Sequence, residues 1–209
     1  MRIKTVIFDF DGTIADTFST IIRLFNLHAK EFGLGKLTVS EVERLRSLGL
    51  REILYKYKLQ LFKLPFIAKK IRDELGRKIT NIRTFPNIQQ VLLKIKQKDL
   101  QLGILSSNSK ANIEKLLRAK SMMVFDFIHS ESNLLAKGQA LKSLLKKYRL
   151  KNNEVVYIGD EVRDIEAAKE NGVQVISVIW GFNKKEILKK SKPEYLIEKP
   201  QDILKIIAI

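Results

Sequence analysis

The sequence predicts an α/β protein with a doubly wound parallel-sheet core and an all-helical domain inserted after the first strand. Three observations lead there. Short apolar runs alternate with amphipathic stretches over residues 1–17 and 85–209, the pattern of buried parallel strands covered by helices on both faces. Residues 18–84 interrupt that pattern with helical periodicity and no convincing strand. The chain has 209 residues, 45% hydrophobic and 30% charged, enough for a core domain that carries a smaller insertion.

Taken in order, the runs Val6-Ile7-Phe8, Leu102 to Leu105, Val155 to Ile158 and Val175 to Ile179 read as strands buried on both faces. Phe125 to His129 and Tyr195-Leu196-Ile197 are weaker strand signals. Ile88 to Lys98, Asn112 to Lys120, Gly138 to Tyr148 and Asp164 to Asn171 have the spacing of amphipathic helices. Together they describe a Rossmann-like core. Within 18–84, helices are expected over Ile21 to Phe32, Ser40 to Leu48, Glu52 to Leu61 and Ile67 to Ile82. Asp16 to Phe18 and Thr84 to Pro86 are the expected hinges. The same periodicity would arise from helices merely packed on one sheet face. Phe18, Phe25, Tyr55, Tyr57, Phe62 and Phe66 are expected in the core of the insertion. His28 reads as a packing or surface residue, because nothing in the sequence pairs with it.

Composition excludes several chemistries. With no cysteine in the chain, disulfides, thiolate nucleophiles and cysteine-bound metals are ruled out. No apolar run approaches bilayer length, and the N-terminus lacks a secretory signal, so a cytoplasmic protein is expected. The formal charge of +16 attracts anions, whether phosphorylated metabolites, nucleic acid or anionic lipid. The basic residues are spread along the chain, which favours solvated helix surfaces over a nucleic-acid tract. Oligomeric state cannot be read from the chain.

The chemistry-bearing residues fall at the ends of the predicted strands. The first strand runs into Asp9-Phe10-Asp11-Gly12-Thr13. In extended backbone alternate side chains point the same way, so Asp9 and Asp11 share one side. Neighbouring carboxylates repel unless a positive charge lies with them, and oxygen-only ligands suit a hard cation such as magnesium. The second strand ends in Ser106-Ser107-Asn108 before a helix near Lys110. Hydroxyls and free N–H groups there can cradle phosphate, although Ser and Asn are also ordinary helix caps. A further strand ends in Gly159-Asp160-Glu161 with Asp164 beyond, either a metal site or acidic capping of a helix. Lys137 precedes another helix, where its ammonium could neutralise charge on phosphoryl oxygens. All these positions lie at the carboxyl ends of strands, the edge where open α/β sheets bind ligands.

Asp9-Phe10-Asp11-Gly12-Thr13, followed by Ile14-Ala15-Asp16-Thr17, resembles the first signature of the haloacid dehalogenase superfamily. Ser106, Lys137 and Gly159-Asp160 with Asp164 are similar to its later motifs, in the family's order. The resemblance implies Asp9 as nucleophile and Asp11 as general acid/base. It assigns Ser106 and Lys137 to the phosphoryl group, with Ser107 and Asn108 in the same loop. Magnesium would be held by Asp9, the backbone carbonyl of Asp11 and Asp160, with Asp164 in or just outside that shell. The block 18–84 is similar in position to the helical cap of phosphoglycolate phosphatases and β-phosphoglucomutases. Within it Leu48-Gly49-Leu50-Arg51 resembles a substrate-contacting stretch, making Arg51 a candidate for a second anionic group. The loop Ala136-Lys137-Gly138 departs from the Gly-Lys-Pro of many relatives. A carbon-attacking dehalogenase would need neither Asp11 nor a metal site, which argues for a phosphatase of a small phosphomonoester. A phosphomutase would use the same motifs, and a nucleic-acid-binding protein remains a further alternative.

Overall fold

This structure, a computed structural model, describes residues 3–56 and 61–207. Tyr57 and Lys58, read in the sequence as part of a helix, lie outside the described residues. β1 (Thr5–Phe8), β2 (Gln101–Ser106), β3 (Phe127–Ser130), β4 (Val155–Gly159), β5 (Gln174–Val178) and β6 (Tyr195–Ile197) form one six-stranded sheet in the order β3-β2-β1-β4-β5-β6. Every pairing is parallel. The two strands with weak sequence signals, β3 and β6, are the sheet edges. Each carries exposed positions, which dilutes the apolar run that marks a central strand.

The chain leaves β1 through α1 (Phe18–His28), α2 (Val39–Leu45), α3 (Leu50–Lys56) and α4 (Leu64–Lys78). No strand lies between Phe18 and Arg83 among the described residues. The outgoing and returning chain pair where they cross: Asp16 N–H donates to Arg83 O at 2.9 Å and Phe85 N–H to Ile14 O at 3.1 Å. Thr38 starts α2 with a capping box. Its hydroxyl accepts from Glu41 N–H, and the Glu41 carboxylate accepts from Thr38 N–H.

Period-two alternation sorts the strand residues between the two faces. Val6 and Phe8 lie with Leu102, Ile104, Val156 and Ile158 in one cluster, covered by α5 (Ile88–Lys96), α6 (Lys110–Ala119) and later α10 (Asp202–Ile206). Ile7, Val155 and Tyr157 lie on the other face under α7 (Lys137–Lys147), α8 (Val162–Glu170) and α9 (Lys185–Lys190). Helices on both faces make the sheet doubly wound, as the sequence predicts.

Leu24, Ile71, Leu75 and Ile79 from the α1–α4 block extend the first cluster. Three aromatic residues expected in that core are instead exposed: Tyr55 at 89%, Phe62 at 76% and Phe66 at 52%. On α3 the buried position is Leu54, and its neighbour Tyr55 sits about 100° further round the helix, facing water. His28 does have a partner, its Nδ1 lying 3.0 Å from Glu31 Oε2. Among the described residues no helix is long and apolar enough to cross a membrane.

Candidate active site

At the end of β1 the backbone turns at Gly12, whose φ of 81° is left-handed and suits glycine. A Cβ at Gly12 would also run into the Asp160 carboxylate, so the turn can approach β4 only without a side chain. Asp9 is buried. Its Oδ1 accepts from Phe10 N–H at 2.7 Å and its Oδ2 from Lys137 Nζ at 2.6 Å. Burial pushes the Asp9 carboxyl up to about 6 despite the ammonium beside it. Asp11 is half-buried and accepts from Asn108 Nδ2 at 3.2 Å. Burial, followed by the Asp9 charge, pushes its carboxyl up to about 7.

At the end of β2 the helix cap is Ser109, whose hydroxyl accepts from Asn112 N–H at 3.2 Å. Asn108 also serves this helix start, its Oδ1 accepting from Ser109 N–H at 2.8 Å and from Asn112 Nδ2 at 2.9 Å. Ser106 and Asn108 are buried, with Asn108 N–H donating to Ser106 Oγ at 3.1 Å. Ser107 is half-buried. Its carbonyl takes Arg72 Nη1 at 3.1 Å, and its hydroxyl lies 3.5 Å from Arg163 Nη2.

Beyond β4, Asp160 and Asp164 are both buried. Asp160 Oδ1 accepts from Thr13 Oγ1 at 2.6 Å and Oδ2 from Phe182 N–H at 2.7 Å. Asp164 Oδ2 accepts from Glu161 N–H at 2.9 Å, and its Oδ1 pairs with Lys137 Nζ. Asp164 thus braces the first turn of α8, the capping expected of this acidic loop, while its other oxygen faces the buried cluster. A Cβ on Gly159 would strike the Asp164 carboxyl, which accounts for glycine there. Lys137 bridges Asp9 and Asp164. Burial opposes its charge, yet the two carboxylates hold its ammonium above the ordinary lysine value.

Asp9, Asp160 and Asp164 each offer a carboxylate oxygen within 4.8 Å of the others. These three buried acids face the single ammonium of Lys137, while Arg163 is taken up by Glu161 at 2.5 Å. Burial, with Glu161, Asp164 and Asp9 adding repulsion, drives Asp160 well above the ordinary carboxylate range. An all-oxygen donor set of this kind fits a hard divalent cation. The Asp11 carboxylate is outside the group.

Arg51 is exposed on α3 and lines a cleft that also includes Lys137, Arg163 and Glu166. The arginine of the α1–α4 block that shares a cavity with Asp11 is Arg72, which sequence reasoning passed over. It also missed Thr13, Arg163 and Tyr157. The tyrosine carried a readable signal: a hydroxyl in a strand buried on both faces needs a partner. Its OH donates to Leu105 O at 3.3 Å and lies 3.5 Å from Asp164 Oδ1.

Comparison with known proteins bears on the same residues. The model of the family described as haloacid dehalogenase-like hydrolase matches residues 6–178. A phosphoglycolate phosphatase from Synechococcus elongatus is 32% identical over 205 residues, covering 98% of this chain and 97% of its own. Pyrophosphatase PpaX from Oceanobacillus iheyensis is 25% identical over 216 residues, covering 99% and 98%. The crystal structure of a predicted phosphatase from Clostridium acetobutylicum superimposes with a TM-score of 0.86 at 20% identity, covering 100% of this chain and 99% of that one. With the motif carboxylates gathered at one sheet edge and the family model spanning most of the sequence, the chain belongs to the haloacid dehalogenase-like hydrolase family.

Proposed function

We propose that the protein is a magnesium-dependent phosphatase that hydrolyses a small phosphomonoester through an aspartyl-phosphate on Asp9. The observation that carries this reading is the buried cluster of Asp9, Asp160 and Asp164 around Lys137 at the carboxyl edge of the sheet. Asp9 and Asp160, with the Asp11 backbone carbonyl and Asp164 in or beside the shell, would hold magnesium. When bound, the ion supplies Lewis-acid neutralisation of phosphoryl charge.

Lys137 places a second positive charge where the phosphoryl oxygens come, and Ser106, Ser107 and Asn108 close the other side. Asp9 Oδ bonds phosphorus as the ester P–O bond breaks. Asp11, whose carboxyl is pushed up to about 7 by burial and so retains a share of its protons at neutral pH, gives its proton to the leaving alcohol oxygen. As a base it then takes one from the water that cleaves the acyl phosphate. Residues 18–84, as a cap, would exclude water from the first step.

Phosphate release from an aryl phosphate, with and without magnesium, tests the class. Turnover that needs no divalent ion, or no turnover by folded protein, would overturn it. Phosphoglycolate, named for the Synechococcus relative, is the first metabolite to assay. Asp11→Asn is expected to slow both half-reactions, lowering kcat by about 10²–10⁴-fold. A normal kcat removes Asp11 from this role.

Linkage supplies a test that does not depend on turnover. The folded pKa values of Asp9 and Asp11, about 6 and about 7, exceed the unfolded value of about 3.9. Between those limits the folded, metal-free protein binds more protons than the unfolded chain, so these groups lower stability as pH rises. Magnesium should then raise Tm more at pH 8 than at pH 5. An equal shift at both pH values would contradict the metal assignment.

A further inference from the structure

The carboxyl edge of the sheet opens into a cavity of about 450 Å³ beneath α1–α4. Most of its charged and hydrogen-bonding groups are Asp11, Asn108, Ser107, Arg72, Glu161 and Arg163, while Lys36 and Glu41 line it around the start of α2. The rest of the wall is mostly hydrocarbon, with Ile22 and Phe25 from α1, Leu45 from α2, Ile53 from α3 and Ile67 from α4. These five side chains are only half-buried, whereas Leu24 and Leu54 of the same helices are enclosed. The cavity therefore separates a polar floor continuous with Asp11 from an apolar vault. Lys36 is exposed and these apolar side chains outnumber it, so a hydrocarbon in the vault would leave water favourably.

Resting on the phosphatase reading, we propose that the substrate is the phosphomonoester of an apolar alcohol whose hydrocarbon fills this vault. The phosphoryl group sits at Asp9 and the ester oxygen lies near Asp11. The balance is that of a simple hydrolysis. The Asp9–phosphorus bond forms as the ester P–O bond breaks, and the Asp11 proton completes the alcohol. Water then supplies oxygen to phosphorus as the Asp9 Oδ–phosphorus bond breaks and returns a proton to Asp11, so one ester and one water give one alcohol and one inorganic phosphate.

The test is kcat/KM for ethyl, butyl, hexyl and octyl phosphate in magnesium, with phosphoglycolate alongside. Calorimetric binding of alkylphosphonates of the same lengths accompanies it. The expected result is a rise of up to about four-fold per added methylene through the shorter chains, matched by tighter phosphonate binding. Ile22→Ser and Ile53→Ser should each lower the hexyl-to-ethyl ratio several-fold. Magnesium-dependent turnover with no chain-length dependence, or a preference for phosphoglycolate over hexyl phosphate, overturns the proposal and leaves the phosphatase reading intact. Chain-length-dependent phosphonate binding without turnover of any ester supports the apolar vault and overturns the phosphatase reading. Neither binding trend nor turnover overturns both.

Discussion

Asp9→Asn is expected to abolish magnesium-dependent phosphate release, lowering kcat on the order of 10⁴-fold or more, the scale on which enzymes lose a covalent nucleophile. The amide keeps the shape of the carboxylate but cannot form the acyl phosphate. The fold should survive. Asp9 is buried and its pKa raised to about 6 chiefly by burial, so a neutral side chain relieves a desolvation penalty while Lys137 keeps Asp164 as a partner. Thermal denaturation should accordingly give a Tm no lower than wild type at pH 8. Acid-quenched wild type turning over substrate should carry phosphate on the peptide containing Asp9, and the variant should carry none. Measurable steady turnover by Asp9→Asn, or phosphate on another residue, would contradict the mechanism.

Lys137→Ala should lower both activity and stability, through separable causes. Removing an electrostatic stabiliser of developing charge costs about 2–4 kcal/mol of transition-state binding, or roughly 30- to 1000-fold in kcat/KM. Removing one partner from a buried ion pair costs about 3–5 kcal/mol of folding stability. Here two carboxylates, Asp9 and Asp164, lose the same ammonium. Protons can replace it at low pH, so denaturant titrations should show a smaller loss at pH 5 than at pH 8. Unchanged kcat/KM would show that Lys137 only holds the two acids apart. A stability loss independent of pH would show that packing, not charge, is what the lysine supplies.

The features legible in the sequence are those produced by local patterns. Val6-Ile7-Phe8 and Val155 to Ile158 read as strands because both faces of a central parallel strand are buried. Asp9-Phe10-Asp11-Gly12-Thr13 was conspicuous because alternation puts its acids on one side and the turn needs glycine. The illegible features join residues far apart in the chain. Arg46 Nε donates to Phe182 O across 136 positions at 3.0 Å, and its guanidinium stacks over Phe18. The Phe182 N–H in turn holds Asp160. Arg72 reaches the carbonyls of Ser107 and Ser132. No periodicity marks such a contact, and in a chain with 39 basic residues one more arginine on a helix carries no signal. Tyr55, Phe62 and Phe66 were misjudged because aromatic content by itself does not say which side of a short helix meets water.

The position of β1 also governs how the molecule is born. Of the six strands of the sheet it comes first in chain order, yet it lies inside the sheet, where Thr5 pairs with Gln101 on one side and with Val155 on the other. During translation the segment bearing Asp9 must wait for about a hundred residues before gaining its first neighbour and a further half-hundred before its second. Pairings of such long sequence separation are slow to form. The earliest-made part of the catalytic edge is thus enclosed only late, and until β4 emerges from the ribosome one flank of its strand has no neighbour to shield it from other nascent chains.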